Sequence, residues 1–262
     1  MSTMIEKVIN EKFGVGVAEW PLPDGKPAII FVHGAGGSHH MWLGQLAFFR
    51  KDYNPVAINL PGHGLSPGPA CDTVKAYARF VLDAADALNI KCFILVGLSM
   101  GGAISQQISL DAPERLIGVV LLSTGAKLKV MPEIFRLIRE NYKQYVSLYP
   151  SFAFSKNAPK AVVEESMKVV AMMEPASADA DFRACDAFNL KDQIKDIKTR
   201  TLIISASEDV LTPPKYQDYI ASQIQGSKLV RIDGSGHVVN LEKPGEVNQA
   251  LEEFVKEVLE KK

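Results

Sequence analysis

Cysteine is scarce: the 262-residue chain has three, Cys71, Cys92 and Cys185. They are odd in number, far apart and outside any C-x-x-C spacing. That excludes a disulfide framework or a zinc site and fits a reducing, cytoplasmic compartment. An excess of one charge is lacking too. Lys and Arg total 29 against 30 Asp and Glu, a formal net charge of -1, so the basic footprint of a nucleic-acid binder is absent. Long apolar runs are missing. The longest, such as Ala28–Val32 and 119–122, are strand-sized, far short of the roughly 20 residues that span a bilayer, and no membrane partner is expected. Glu6, Lys7, Glu11 and Lys12 interrupt what would be the apolar stretch of a signal peptide, so no export is expected. Neither G-x-x-x-x-G-K nor G-x-G-x-x-G occurs, which argues against a phosphate-cradling loop. Hydrophobic residues at 47% and charged residues at 23% exclude disordered, collagen-like and coiled-coil chains.

What is present is alternation. Short apolar runs at Ala28–Val32, 55–59, 92–96, 117–122, 201–205 and Lys228–Ile232 suit strands buried on both faces, as a parallel sheet covered by helices requires. Between them lie segments with helical spacing. In 73–88 the apolar positions are Val74, Tyr77, Phe80, Val81, Ala84, Ala85 and Leu88; in 245–259 they are Val247, Leu251, Phe254, Val255 and Val258. The expected fold class is α/β, a mostly parallel eight-stranded sheet with helices on both faces and right-handed crossovers. Residues 7–20 are expected to form an antiparallel hairpin at the sheet edge.

One stretch breaks the rhythm. Residues 125–199 contain no convincing strand and read as helices over 132–149, 159–173 and 179–188, punctuated by Pro150, Pro159 and Pro175. The expected organisation is a core domain of residues 1–124 and 200–262 carrying a helical cap at 125–199. The cap is rich in large soft residues that either pack as core or line an apolar pocket. Phe152, Met172 and Phe182, with Val238 outside the cap, are the pocket candidates.

Gly97-Leu98-Ser99-Met100-Gly101 directly follows a strand-like run and precedes a helix-like segment. That context turns a G-x-S-x-G match into a sharp turn presenting a serine hydroxyl at the carboxyl end of a strand. A serine hydroxyl needs a base. Of five histidines, His237 stands just after the apolar run ending at Ile232 and can meet such a turn. The base needs an acid to fix its tautomer. Asp209 ends another strand-like run and is preferred over its neighbour Glu208 and over Asp233. The backbone N–H of Met100 supplies one oxyanion donor, and the glycine-rich turn His33-Gly34-Ala35-Gly36-Gly37 the other. His39 and His40 are adjacent and are not expected to converge on a metal. His63, between two glycines, reads as a turn residue. No cofactor is expected.

With these motifs the chain resembles the α/β-hydrolase superfamily, and within it the capped, serine esterase-like members. The likeness rests on His33-Gly34 with Trp42 downstream, Pro61-Gly62-His63-Gly64, Gly97-Leu98-Ser99-Met100-Gly101-Gly102, Ser207-Glu208-Asp209 followed by Pro213, and Gly236-His237 followed by Glu242-Lys243-Pro244. It implies Ser99 as nucleophile, His237 as base, Asp209 as acid and an oxyanion hole from Ala35 and Met100. Asn59 departs from the Asp usual before the L-P-G-H-G turn. The resemblance implies a carboxylic ester hydrolase taking a small-molecule ester of short-to-medium acyl or aryl type. Its alternatives are a carbon–carbon bond hydrolase of ring-cleavage products, a thioesterase or lactonase, and a non-catalytic small-molecule receptor. Leu98 and Val238 stand where the carbon–carbon hydrolases usually carry Asn and Trp.

Overall fold

The computed structural model describes residues 4–260. The chain opens with strands β1 (Ile5–Ile9) and β2 (Phe13–Val17), paired antiparallel with Ile5 opposite Val17. Strand β3 (Ala28–Val32) is followed by helix α1 (Leu43–Phe49), β4 (Asn54–Ile58), α2 (Val74–Ala87), β5 (Phe93–Leu98), α3 (Met100–Asp111) and β6 (Leu116–Leu122). Then come α4 (Pro132–Glu140), α5 (Tyr142–Ala153), α6 (Lys160–Ala171) and α7 (Pro175–Ala187). The chain ends with β7 (Thr201–Ala206), α8 (Pro214–Gln223), β8 (Lys228–Ile232), α9 (Val239–Glu242) and α10 (Pro244–Glu260).

The strands form one eight-stranded sheet in the order β1-β2-β4-β3-β5-β6-β7-β8. Strand β2 runs antiparallel to β1 and β4, and the other neighbours are parallel. This is the α/β architecture expected from the apolar runs, with the hairpin at the edge.

Alternation along each central strand divides its side chains between two cores. In β3, Ala28, Ile30 and Val32 join α2, α3 and α8 on one face. Ile29 and Phe31 join α1 and α10 on the other. A strand buried on both faces has no polar face to show, which is why these segments read as continuous apolar runs. Helix α2 begins where Thr73 accepts a hydrogen bond from the Ala76 N–H, an N-cap that satisfies an otherwise orphaned donor.

Helices α4–α7 occupy the connection from β6 to β7. At its base, Leu190 N–H donates to Ala126 O at 2.7 Å, clipping the two ends of the insertion together. The helix expected over 132–149 is two helices. Asn141 sits between them with φ −152°, and its side chain accepts from Gln144 N–H to cap α5. Asn competes for backbone donors in this way and favours caps over helix interiors. Pro150 does not end α5; it lies inside the helix, one turn before its end at Ala153.

Candidate active site

Strands β3, β5, β7 and β8 are parallel, so their carboxyl ends lie along one edge of the sheet. Ser99 sits between β5 and α3 with φ 56° and ψ −114°, a left-handed conformation that costs a non-glycine residue of order 1–3 kcal/mol. The surroundings over-determine it. Ser99 N–H donates to Leu122 O at 2.9 Å, Ser99 O accepts from Ala103 N–H at 3.0 Å, and it also accepts from the Thr124 hydroxyl at 2.8 Å. Side chains are excluded on either side of the turn. A Cβ at Gly97 would lie 2.1 Å from Gly101 O, and one at Gly101 would lie 2.2 Å from Val32 O. The G-x-S-x-G spacing is therefore a steric requirement of this strand–turn–helix. It leaves Ser99 half-buried at the N-terminus of α3, where the helix dipole favours developing negative charge.

The loops after β7 and β8 are stitched together. Ser207 N–H donates to Ile232 O at 3.0 Å, and Glu208 N–H donates to Ser235 O at 2.9 Å. This brings Asp209 Oδ2 to 2.8 Å from His237 Nδ1. Both residues are buried, whereas Glu208 and Asp233 are exposed. A carboxylate only accepts, so His237 Nδ1 carries a proton and Nε2 is the nitrogen free to accept one. Burial alone would raise the Asp209 carboxyl, but the adjacent His237 ring and the N–H and hydroxyl of Thr212 hold it below the usual carboxylate range.

The turn after β3 is ordered by His33. Its Nε2 accepts from Leu60 N–H at 3.1 Å, so Nδ1 carries the proton and donates to Gly34 O at 2.8 Å. Ala35 lies in that turn, and Met100 is the first residue of α3, beside Ser99.

Three other residues at this edge were given no role by the sequence. Thr212 donates its hydroxyl to Asp209 Oδ2 at 2.7 Å. Glu242 Oε1 accepts from Gly236 N–H at 2.8 Å while its Oε2 accepts from the Ser155 hydroxyl at 2.6 Å, tying the His237 loop to the end of α5. Asp181, on α7, accepts from the Gly36 N–H at 2.9 Å. Glu242 had a signal, its place in the Glu242-Lys243-Pro244 motif; Asp181 had none.

The pocket candidates separate. Tyr145 is buried in the insertion with Phe152 and Phe182 packed around it, ring centroids 5.9 and 6.1 Å away. Val238 is buried, and its N–H donates to Ala153 O at 3.1 Å. Met172 differs from the other candidates: at the C-terminal cap of α6 it is 83% exposed. Its neighbour Met173 turns inward instead. Its sulfur and the Tyr145 hydroxyl lie 4.0 and 3.9 Å from where a Gly36 Cβ would stand. At a helix end, one residue of phase separates solvent from core.

His39 and His40 also depart from expectation. Their rings lie 4.1 Å apart, and both Nε2 atoms converge on Glu6 Oε1, at 2.9 and 3.8 Å. Among the described residues this is the one grouping with metal-ligand chemistry. Its members are on β1 and the turn before α1, and none of them is Ser99, Asp209 or His237. No helix among the described residues is long and apolar enough to cross a membrane.

The fold recurs in known proteins. The chain is 28% identical over 247 residues to "Putative carbamate hydrolase RutD" of Rhizobium rhizogenes, covering 89% of this chain and 94% of the relative. It is 26% identical to 3-oxoadipate enol-lactonase 2 of Acinetobacter baylyi, covering 88% and 89%. The solved structure of a thermophilic esterase superimposes with a TM-score of 0.81 at 30% identity, covering 98% of each chain. The model of the alpha/beta hydrolase family matches residues 29–250, from β3 into the last helix and through every element that carries the site. The chain belongs to the alpha/beta hydrolase family.

Proposed function

We propose that this hydrolase cleaves carboxylic esters with Ser99 as nucleophile, His237 as base and Asp209 as acid. The observation that supports this most directly is the 2.8 Å contact from Asp209 Oδ2 to His237 Nδ1, on the sheet edge that carries the strained Ser99. In this reading Ser99 Oγ attacks the acyl carbon as His237 Nε2 takes its proton. The tetrahedral oxyanion is held by the N–H groups of Ala35 and Met100. His237 then returns the proton to the leaving alcohol, and water repeats the sequence to release the acid from Ser99. The insertion acts as a cap, and the rings of Phe152 and Phe182 around Tyr145 favour short-to-medium acyl or aryl groups. Phe152, Phe182 and Val238 are retained as candidate pocket residues.

A second reading, lactone hydrolysis, is favoured by the likeness to an enol-lactonase. It breaks the same kind of bond with the same groups. A panel of nitrophenyl esters of rising acyl length, together with a lactone, a carbamate and a ring-cleavage dienoate, separates these readings. The expected result is highest kcat/KM on a short or medium ester, lost in Ser99→Ala. Turnover that survives Ser99→Ala, or binding without turnover of any compound, would overturn the proposal.

A further inference from the structure

Asp181 lies on α7 in the insertion, and its side chain is fully buried. A buried carboxylate is costly unless donors surround it. Three donors do, each from a different segment outside the insertion. Oδ2 accepts from Gly36 N–H at 2.9 Å, in the turn after β3, and from His63 Nε2 at 2.8 Å, in the turn after β4. Oδ1 accepts from the hydroxyl of Tyr77 on α2. The other nitrogen of His63, Nδ1, lies 2.9 Å from Pro61 O, which can only accept. Both ring nitrogens therefore carry protons, and the pair is a buried imidazolium and carboxylate. Burial alone would lower the His63 pKa, yet the Asp181 charge and hydrogen bond bring it above the ordinary value.

The contact with Gly36 falls at a defined point of the turn. Gly37 N–H donates to Gly34 O at 3.1 Å, closing a four-residue turn, and Gly36 has φ 73°. A positive φ at the third position marks a type II turn, which differs from type I by a flip of the central peptide. Here that peptide joins Ala35 to Gly36, and its N–H is the one Asp181 takes. The Ala35 N–H is the neighbouring donor, one residue earlier.

We propose that Asp181 is a positioning residue. From the insertion it locks the Ala35–Gly36 peptide in one orientation and so aims the Ala35 N–H at the oxyanion. The catalytic part of this rests on the serine-hydrolase reading above. The insertion then serves the chemical step as well as the choice of substrate.

The test uses Asp181→Ala and Tyr77→Phe in the full-length protein, each checked for folding by circular dichroism. A misaimed oxyanion donor slows chemistry without weakening substrate binding. In Asp181→Ala, kcat should fall roughly 10- to 100-fold on acetate, butyrate and octanoate esters alike, with KM nearly constant. Tyr77→Phe, which loosens the same carboxylate, should lower kcat several-fold in the same uniform way. The second readout needs no ester. Hydrogen exchange at the Gly36 amide, followed by NMR, should quicken in both variants while the β3 amides keep their protection. If the wild type turns over no ester, the hydrolase reading fails and the exchange data still decide whether Asp181 holds the turn. If Asp181→Ala does not fold, Tyr77→Phe decides by the same two measurements. Unchanged kcat, a loss confined to KM or to long acyl chains, or unchanged Gly36 exchange in a folded variant would overturn the proposal.

Discussion

Asp209 divides its two oxygens between His237 and its own loop. Oδ2 faces His237 Nδ1 at 2.8 Å, while Oδ1 accepts from the N–H groups of Leu211 and Thr212, each at 2.9 Å. In Asp209→Asn the two backbone donors would claim the amide oxygen and turn the amide NH2 toward His237. Nδ1 would then have to accept, and the ring proton would move to Nε2, where it blocks proton uptake from Ser99. Activity should fall on the order of ten-thousand-fold. The exposed Asp233→Asn should change little. Steady-state kinetics of the two variants on one nitrophenyl ester checks this, and a reversal of the two effects would remove Asp209 from its role.

Ser99→Ala should reduce ester turnover by about a million-fold, because nucleophile and base act as a unit. The fold should survive, since an alanine there keeps every backbone bond that holds the turn. Thermal unfolding alongside single-turnover assays checks both halves; a variant retaining a tenth of wild-type activity would contradict the assignment.

Acid should destabilise the fold through His33. Burial first, and then the neighbouring His63, lowers its pKa from 6.5 to about 3. The unfolded chain thus binds a proton below pH 6.5 that the folded chain refuses until about pH 3, so stability falls as pH drops through that window. Protonating Nε2 would also break the bond from Leu60 N–H. Urea midpoints measured from pH 7 down to pH 4 should decline in the wild type and decline less in His33→Gln. Equal slopes would show that other groups govern the acid limb.

Chain-length preference should track the aromatic cluster of the insertion. An apolar pocket gains about 0.8 kcal/mol per buried methylene, and one methylene alters kcat/KM by roughly 10-fold or somewhat more. Phe152→Ala and Phe182→Ala should therefore shift the preferred acyl length while acetate turnover changes least. The exposed Met172→Ala should leave the profile alone. Acetate, butyrate and octanoate esters on each folded variant give the answer; equal loss on all three would make the rings structural.

Chelators should leave ester turnover unchanged, because none of Glu6, His39 and His40 belongs to the proposed reaction groups. Dialysis against a chelator followed by assay checks this. Activity lost on chelation and restored by metal would tie that grouping to the reaction.

The middle of the sheet was legible because its central strands are buried on both faces and so cannot hide polar residues. The elbow was legible because Gly97 and Gly101 admit no side chain, and the Asp209–His237 pairing because both residues follow strand ends. Asp181 was not. It sits in a run of small and polar residues that reads as a solvated helix face, and its partners lie 145, 118 and 104 positions away. Nothing local distinguishes a carboxylate that faces water from one that faces three donors. Helix phase at Met172 and Met173, and the cap at Asn141, were lost for a related reason: periodicity fixes which face is apolar but not where the helix stops.

The insertion is fastened unevenly. Asp181 bolts α7 to the turn after β3, and Glu242 bolts Ser155, just beyond α5, to the loop before His237. Helix α6 instead hangs from α5 through the Tyr142 hydroxyl on Val170 O and the Tyr149 hydroxyl beside Ser166. Variation in α6 should therefore disturb the fold around the proposed reacting groups least. A mutational library confined to residues 160–171 should keep both bolts intact, and the same library in α7 should spend most of its members on broken turns.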